Sequence, residues 1–203
     1  MTPVDVKLMI AIPTLDYIHY EFARCLTGLT RRLDKDGVDF DVFFLGGTLV
    51  YLGREQLASE AVNKKYTHVL WLDADMVFED DLFYKLLDVQ SDIGTGVYHS
   101  RHAPYTSCMF SKLHPPIKVY AYPEEPFEIE GCGFGCVLTT TEALAAVYRK
   151  YQMAFHPSED FGEDLSFCER AAACGYPIIC NPKALCGHIG HLTIWPDNKE
   201  VRT

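Results

Sequence analysis

The chain has 203 residues, enough for one ordinary domain with a sizeable core; 48% are hydrophobic and 23% charged, the balance of a globular protein. The net charge is −10 and no Lys/Arg cluster occurs, which excludes the basic face that a nucleic-acid backbone requires but leaves room for a small anion held by one arginine and a divalent cation. No apolar stretch approaches the roughly 20 residues of a membrane helix and no signal-type segment opens the chain, so the expectation is a cytoplasmic protein without a transmembrane segment.

From the N-terminus, residues 6–12 form an apolar run with one lysine, ended by Pro13-Thr14, and read as a buried strand. Residues 17–32 carry Phe22, Leu26 and Leu29 at helical spacing, continued by Leu33, and Gly37 breaks the chain before a second strand at 40–45. Gly46-Gly47 stops that strand. A helix is predicted over 54–64, a third strand over 67–72 and a helix over 80–89 with acidic residues at its start. The alternation points to an α/β fold with a mostly parallel central sheet flanked by helices. In such sheets ligands gather at the carboxyl ends of the strands, which places Pro13-Thr14, Gly46-Gly47 and Asp73-Ala74-Asp75 on one edge.

The second half is less regular. Strands are predicted at 92–98 and 117–122, with a polar, proline-containing loop between them. Gly131-Cys132-Gly133-Phe134-Gly135 leads into a strand at 136–139, and helices are expected over 142–148 and 163–174, the latter capped by Gly175. The tail holds Gly187-His188-Ile189-Gly190-His191. Cys168, Cys174, Cys180 and Cys186 recur every six residues, which matches no common zinc spacing; the eight cysteines are expected mainly as buried free thiols. No repeat or linker divides the chain, so residues 1–203 are expected as a single domain.

Four groups of residues can carry chemistry. Asp73 and Asp75 end a buried strand, where two carboxylates suit Mg²⁺ or Mn²⁺, although two aspartates also simply end strands. His188 or His191 can complete such a site, with flanking glycines permitting close backbone approach. Glu163 and Asp164 open a helix: they are either helix-start acids or a general base with its neighbour. Arg54 can reach a diphosphate or sit at the surface, while Trp71 and Phe134 are core residues or stacking platforms, with Trp71 expected in the core.

Together the segments Ile10-Ala11-Ile12-Pro13-Thr14, Leu52-Gly53-Arg54-Glu55-Gln56-Leu57, Val69-Leu70-Trp71-Leu72-Asp73-Ala74-Asp75-Met76, Gly131 to Gly135, Gly162-Glu163-Asp164-Leu165-Ser166-Phe167 and Gly187-His188-Ile189-Gly190 resemble, in order, the glycosyltransferases of the GT-A fold, especially the family-2-like group. The resemblance implies a single GT-A (Rossmann-like) domain, with a nucleotide-sugar donor half at about 1–99 and an acceptor half at about 100–203. It implies that Pro13, Thr14, Arg54, Asp73, Ala74, Gly133 and Phe134 meet the nucleotide-sugar, and that Asp73, Asp75 and His188 hold Mn²⁺ or Mg²⁺. Asp164, with Glu163 beside it, is then the acceptor-side base. The donor is a nucleoside-diphosphate sugar of UDP or GDP type and the acceptor a hydroxyl, in the first place a glycan. In this chain the second strand ends in Gly46-Gly47 rather than the acidic pair common in family 2. The rival activities are carbohydrate or nucleotide-sugar binding without transfer and sugar-phosphate nucleotidyl transfer. The latter fits poorly, because Pro13-Thr14-Leu15-Asp16 stands where a glycine-rich loop belongs.

Overall fold

A computed structural model describes residues 5–190 and the backbone of 193–194 and 201–202; His191 lies outside the described residues. In chain order the elements are β1 (Lys7–Pro13), α1 (Tyr20–Lys35), β2 (Asp39–Leu45), α2 (Val50–Asn63), β3 (His68–Leu72), β4 (Met76–Val77), α3 (Leu82–Leu87), β5 (Ile93–Val97), β6 (Met109–Leu113), β7 (Pro116–Lys118), β8 (Phe127–Ile129), β9 (Gly131–Cys132), β10 (Cys136–Thr140), α4 (Thr141–Tyr151), α5 (Glu163–Ala173), β11 (Ile178–Leu185) and β12 (Gly187–His188).

Seven strands form the central sheet in the order β2-β1-β3-β10-β5-β11-β8. The pairs β1–β2, β1–β3 and β5–β11 are parallel, whereas β10 runs against both β3 and β5, and β8 runs against β11. The α/β class expected from the sequence is therefore present, but the sheet is mixed. Strands β3 and β5 are buried along their whole length, as central strands covered on both faces must be. The edge strand β2 alternates instead.

The chain steps from β1 outward to β2 and then back across β1 to β3, so the crossovers through α1 and α2 go to opposite faces if both keep the usual right hand. Tertiary contacts agree with this. Helices α2, α4 and α5 pack together on one side, where the Phe155 N–H donates to Glu55 Oε1 at 2.6 Å. On the other, the Tyr84 hydroxyl of α3 donates at 2.7 Å to Asp36 beyond α1. The buried side chains form one continuous cluster. At its centre Trp71 packs against Phe134 and Phe155, and its indole N–H donates to Thr139 Oγ1 at 3.0 Å, which satisfies the polar edge of a large buried ring.

Several boundaries differ from the sequence reading. Helix α2 begins at Val50, four residues early, with Leu49 in the N-cap position and no side-chain cap, so nothing local marks its start. The short strand β6 lies where loop was expected, β8 falls in a stretch to which no element was assigned, and β7 ends at Lys118 rather than continuing to 122. The eight cysteines are free thiols, buried or half-buried. Among the described residues no helix is long and apolar enough to cross a membrane.

Candidate functional site

The order β2-β1-β3 makes the carboxyl ends of β1 and β3 a topological switch point, where an open α/β sheet leaves a crevice. Pro13-Thr14 ends β1 and Asp73-Ala74-Asp75 follows β3. The Met76 N–H donates to the Asp73 carbonyl at 3.1 Å, closing a turn, and the Asp73 N–H donates to Gly135 O at 3.2 Å. The turn leads into β4, which pairs with β12 so that Met76 faces His188 and Val77 faces Gly187. A bond of 2.9 Å from the Ile189 N–H to the Asp75 carbonyl extends this ladder. Residues more than a hundred positions apart are thus brought to one place by a two-residue ribbon.

There His188 Nε2 stands 3.4 Å from Asp75 Oδ2, with side chains 17% and 14% exposed. His188 Nδ1 lies 3.0 Å from the His99 carbonyl; a carbonyl only accepts, so Nδ1 carries a proton, and deprotonation of the ring frees the Nε2 lone pair that a metal would use. The Tyr98 ring meets the imidazole edge-on at 5.6 Å. Arg101 forms an ion pair with the same Asp75 oxygen. Burial pushes the Asp75 carboxyl upward, but the hydrogen bond and charge of His188, with Arg101, outweigh it and hold the group below its usual range. His188 is raised: burial lowers it, and Asp75 more than compensates.

Asp73 faces a different partner. Its Oδ1 accepts from Arg54 Nη2 at 2.8 Å. Arg54 is 2% exposed, lies over the faces of Phe134 and Trp71 at 5.4 and 6.0 Å, and has Nε 3.6 Å from Glu163 Oε1. It is therefore neither at the helix start nor at the surface. Starting α2 at Val50 puts it in the second turn, on the inward face shared with Leu57, Ala58 and Ala61. Burial disfavours its charge, but Asp73, Glu163 and Asp164 together keep it raised. Arg54 Nε and Nη1 have no hydrogen-bond partner among the described residues.

Glu163 and Asp164 open α5 behind the N-cap Gly162. Asp164 Oδ1 accepts from the Leu165 N–H at 2.7 Å. Burial first, then the neighbouring Glu163, raises the Asp164 carboxyl to about 6, into the range of a working general base. Gly133 is required by space: a Cβ there would lie 2.2 Å from the Tyr98 hydroxyl and 3.6 Å from Asp164 Oδ2. Phe134 is corrected by the structure. Its ring is buried among Trp71, Phe155 and Phe167, so it offers no face to a sugar or base.

A cleft of about 550 Å³ opens over this edge. Its walls combine apolar side chains, Leu15, Tyr17, Leu45 and Leu49, with charged and polar ones, among them Asp16, Asp75, Arg101, His102 and His188. Pro13, Thr14, Asp73 and Ala74 line it as well, whereas Arg54, Gly133, Phe134, Glu163 and Asp164 do not. Arg101, Tyr98 and His102 escaped the sequence reading, for they belong to a loop with no motif; a basic residue and an aromatic beside two histidines at 98–102 were the available signal. Another cavity, of about 600 Å³, lies at the opposite end of β3 beside His68 and Asp92, away from all these groups.

Asp75 and His188 suit a divalent cation, since one hard oxygen and one imidazole nitrogen converge and the histidine is oriented by a carbonyl behind it. No group of three or more His, Cys, Asp or Glu side chains among the described residues converges on one point, so two protein ligands would need phosphate oxygens and water to fill the shell.

No protein-family model matches the chain, and no curated protein matches it. Solved structures do. A197 from STIV superposes with a TM-score of 0.63 at 18% identity, covering 95% of this chain and 92% of that one. GalNAc-T7, solved with UDP, GalNAc and Mn²⁺, superposes with a TM-score of 0.63 at 12% identity, covering 94% of this chain and 45% of that chain. The fold is therefore GT-A-like, and the chain spans under half the length of GalNAc-T7.

Proposed function

We propose that this protein is a metal-dependent glycosyltransferase that moves a sugar from a nucleoside-diphosphate sugar to a hydroxyl acceptor. The observation that carries the reading is the Asp75–His188 pair in a cleft at the carboxyl ends of β1 and β3, lined by both apolar and charged side chains. A nucleotide offers surfaces of both kinds, a flat base and a charged diphosphate. The solved relative that holds UDP, GalNAc and Mn²⁺ supports the donor class.

Asp75 and His188 would hold Mn²⁺ or Mg²⁺, and Pro13, Thr14 and Ala74 would contact the nucleotide. The metal supplies Lewis-acid stabilisation of the charge that builds on the departing diphosphate. Asp73, fixed by Arg54, presents its free edge to the donor. Asp164, with its raised carboxyl, takes the proton of the attacking hydroxyl if the anomeric centre inverts; if it is retained, Asp164 orients the acceptor. Residues of about 1–99 form the donor side and those of about 100–203 the acceptor side.

Binding without transfer is a second reading, favoured by Arg101 filling one side of Asp75. A thermal-shift panel of UDP- and GDP-sugars, with and without Mn²⁺, tests the proposal through linkage. The expected result is a donor-specific, Mn²⁺-dependent rise in Tm that Asp75→Ala abolishes. If no nucleotide-sugar shifts the Tm under either condition, the assignment is wrong. Release of free nucleoside diphosphate upon addition of Mn²⁺ separates transfer from binding.

A further inference from the structure

We infer that Arg101 is a resident counter-ion for Asp75, occupying the cation position until a divalent metal arrives with a nucleoside diphosphate, and that this competition makes metal binding depend on the donor. The inference rests on the metal-site reading above and adds to it an ordering of events and a residue that imposes it.

The first argument is electrostatic. The Asp75 side chain is only 14% exposed, and a carboxylate in that setting gains from a cation at its oxygen. Arg101 provides it in the absence of metal. Guanidinium and divalent metal seek the same oxygen, Asp75 Oδ2, which also faces His188 Nε2. Both cannot sit in that contact, since like charges so close repel.

Exposure provides the second argument. The Arg101 side chain is 43% exposed, so it leaves Asp75 for solvent with little desolvation penalty; ion pairs of that kind are weak. A metal with only two protein ligands gains little by displacing it. With phosphate oxygens completing the shell the balance reverses, and the arginine yields.

The third is mechanical. The backbone around Arg101 is anchored, whereas its half-exposed side chain is tied down by the ion pair with Asp75. The Ser100 N–H donates to Thr106 O at 2.9 Å and the Tyr105 N–H to His102 O at 2.9 Å. On the other flank the His99 carbonyl lies 3.0 Å from His188 Nδ1. Gly190 packs so closely that a Cβ there would meet the Arg101 carbonyl at 2.9 Å. The exchange is thus a side-chain rotation on an anchored loop. Since Arg101 and His102 both line the cleft, the displaced guanidinium stays at its mouth, within the reach of a diphosphate that would attract it.

The test is Mn²⁺ binding to the full chain, read by the EPR signal of free Mn²⁺ and by calorimetry, with and without UDP or GDP. Wild-type protein should bind Mn²⁺ weakly alone and about tenfold or more tightly with the nucleotide that stabilises it. Arg101→Gln should bind Mn²⁺ alone about tenfold more tightly than wild type and gain less from nucleotide, because no arginine has to be displaced. Arg101→Lys, which keeps a charge, should stay near wild type. Equal Mn²⁺ affinity of wild type and Arg101→Gln without nucleotide overturns the inference, and if nucleotide still promotes Mn²⁺ binding in that case, the metal site itself stands. Mn²⁺ binding to neither protein, even with nucleotide, removes the metal-site reading and this inference together. Circular dichroism and Tm of both variants confirm that the fold is retained.

Discussion

Asp73 and Asp75 are two residues apart in one turn, yet each is held by a different arginine in a different environment. Arg54 reaches Asp73 from inside the protein, almost fully buried, with Trp71 and Phe134 beneath it and Glu163 behind. Arg101 reaches Asp75 from a surface loop and remains nearly half exposed. A buried cation ringed by carboxylates cannot leave without stranding charge, whereas a half-exposed one exchanges with solvent at small cost. The turn thus has a fixed inner end and an exchangeable outer end. The fixed end sets the position of the acids, and the exchangeable end is where a ligand can enter.

The largest expected effect separates the two arginines by stability. Arg54→Met should lower the unfolding free energy by about 3–5 kcal/mol, because Asp73, Glu163 and Asp164 lose their common counter-ion. Arg101→Gln should change it by less than about 1 kcal/mol. Urea denaturation measures both, and equal losses would erase the distinction. A lysine at 54 should not rescue, since it cannot bridge two acids with a planar fork. Next in size is a separation by activity: Asp75→Ala should reduce metal-dependent transfer by about a thousandfold while the Tm stays near that of the wild type. Asp73→Ala should lose both activity and stability, because it leaves Arg54 short of a partner. Turnover that survives Asp75→Ala would disprove the metal assignment.

The outer end was the more legible in sequence. A buried strand followed by Asp73-Ala74-Asp75 places carboxylates on the ligand-binding edge by chain direction alone, and the late His188 proved to lie 3.4 Å from Asp75. The partner Arg101 was not legible, for its contact depends on the course of the loop between β5 and β6, which no periodicity encodes. The inner end was misread for a different reason. Residues 54, 57, 58 and 61 share a helix face, so the burial of Arg54 was implicit in the pattern; an uncapped helix start hid it. The ring of Phe134 went to the core because Phe155 and Phe167, distant in sequence, stack with each other at 4.7 Å and close around it. In the central sheet, β10 runs antiparallel because the chain returns to the middle from the excursion that forms β6 to β9, a topology that strand patterns alone do not specify.

Asp164 belongs with the inner end, since Arg54 and Asp73 both act on its charge, and on the proposed reading it also serves the acceptor. Asp164→Asn should reduce transfer by about a hundredfold if the carboxylate is the base. In wild type the acid limb of kcat/KM should fall near pH 6, where that carboxyl titrates, and the variant should lack it.

The smallest effect sharpens the same point through stability. The Asp164 carboxyl is raised from 3.8 to about 6 in the fold, so the folded state binds the proton more tightly than the unfolded chain. Its contribution is complete below about pH 4 and is lost as pH rises through 6. Asparagine keeps the acceptor for the Leu165 N–H but carries no charge to desolvate. Asp164→Asn should therefore match wild type at pH 4 and exceed it by about 1–2 kcal/mol at pH 7.5, a gain discounted for residual solvent screening. Denaturation of both proteins at the two pH values checks it. If the variant gains equally at both, the advantage is not the relief of a buried charge; if it loses stability at pH 7.5, the attraction of Arg54 for the Asp164 carboxylate outweighs the burial that opposes its charge.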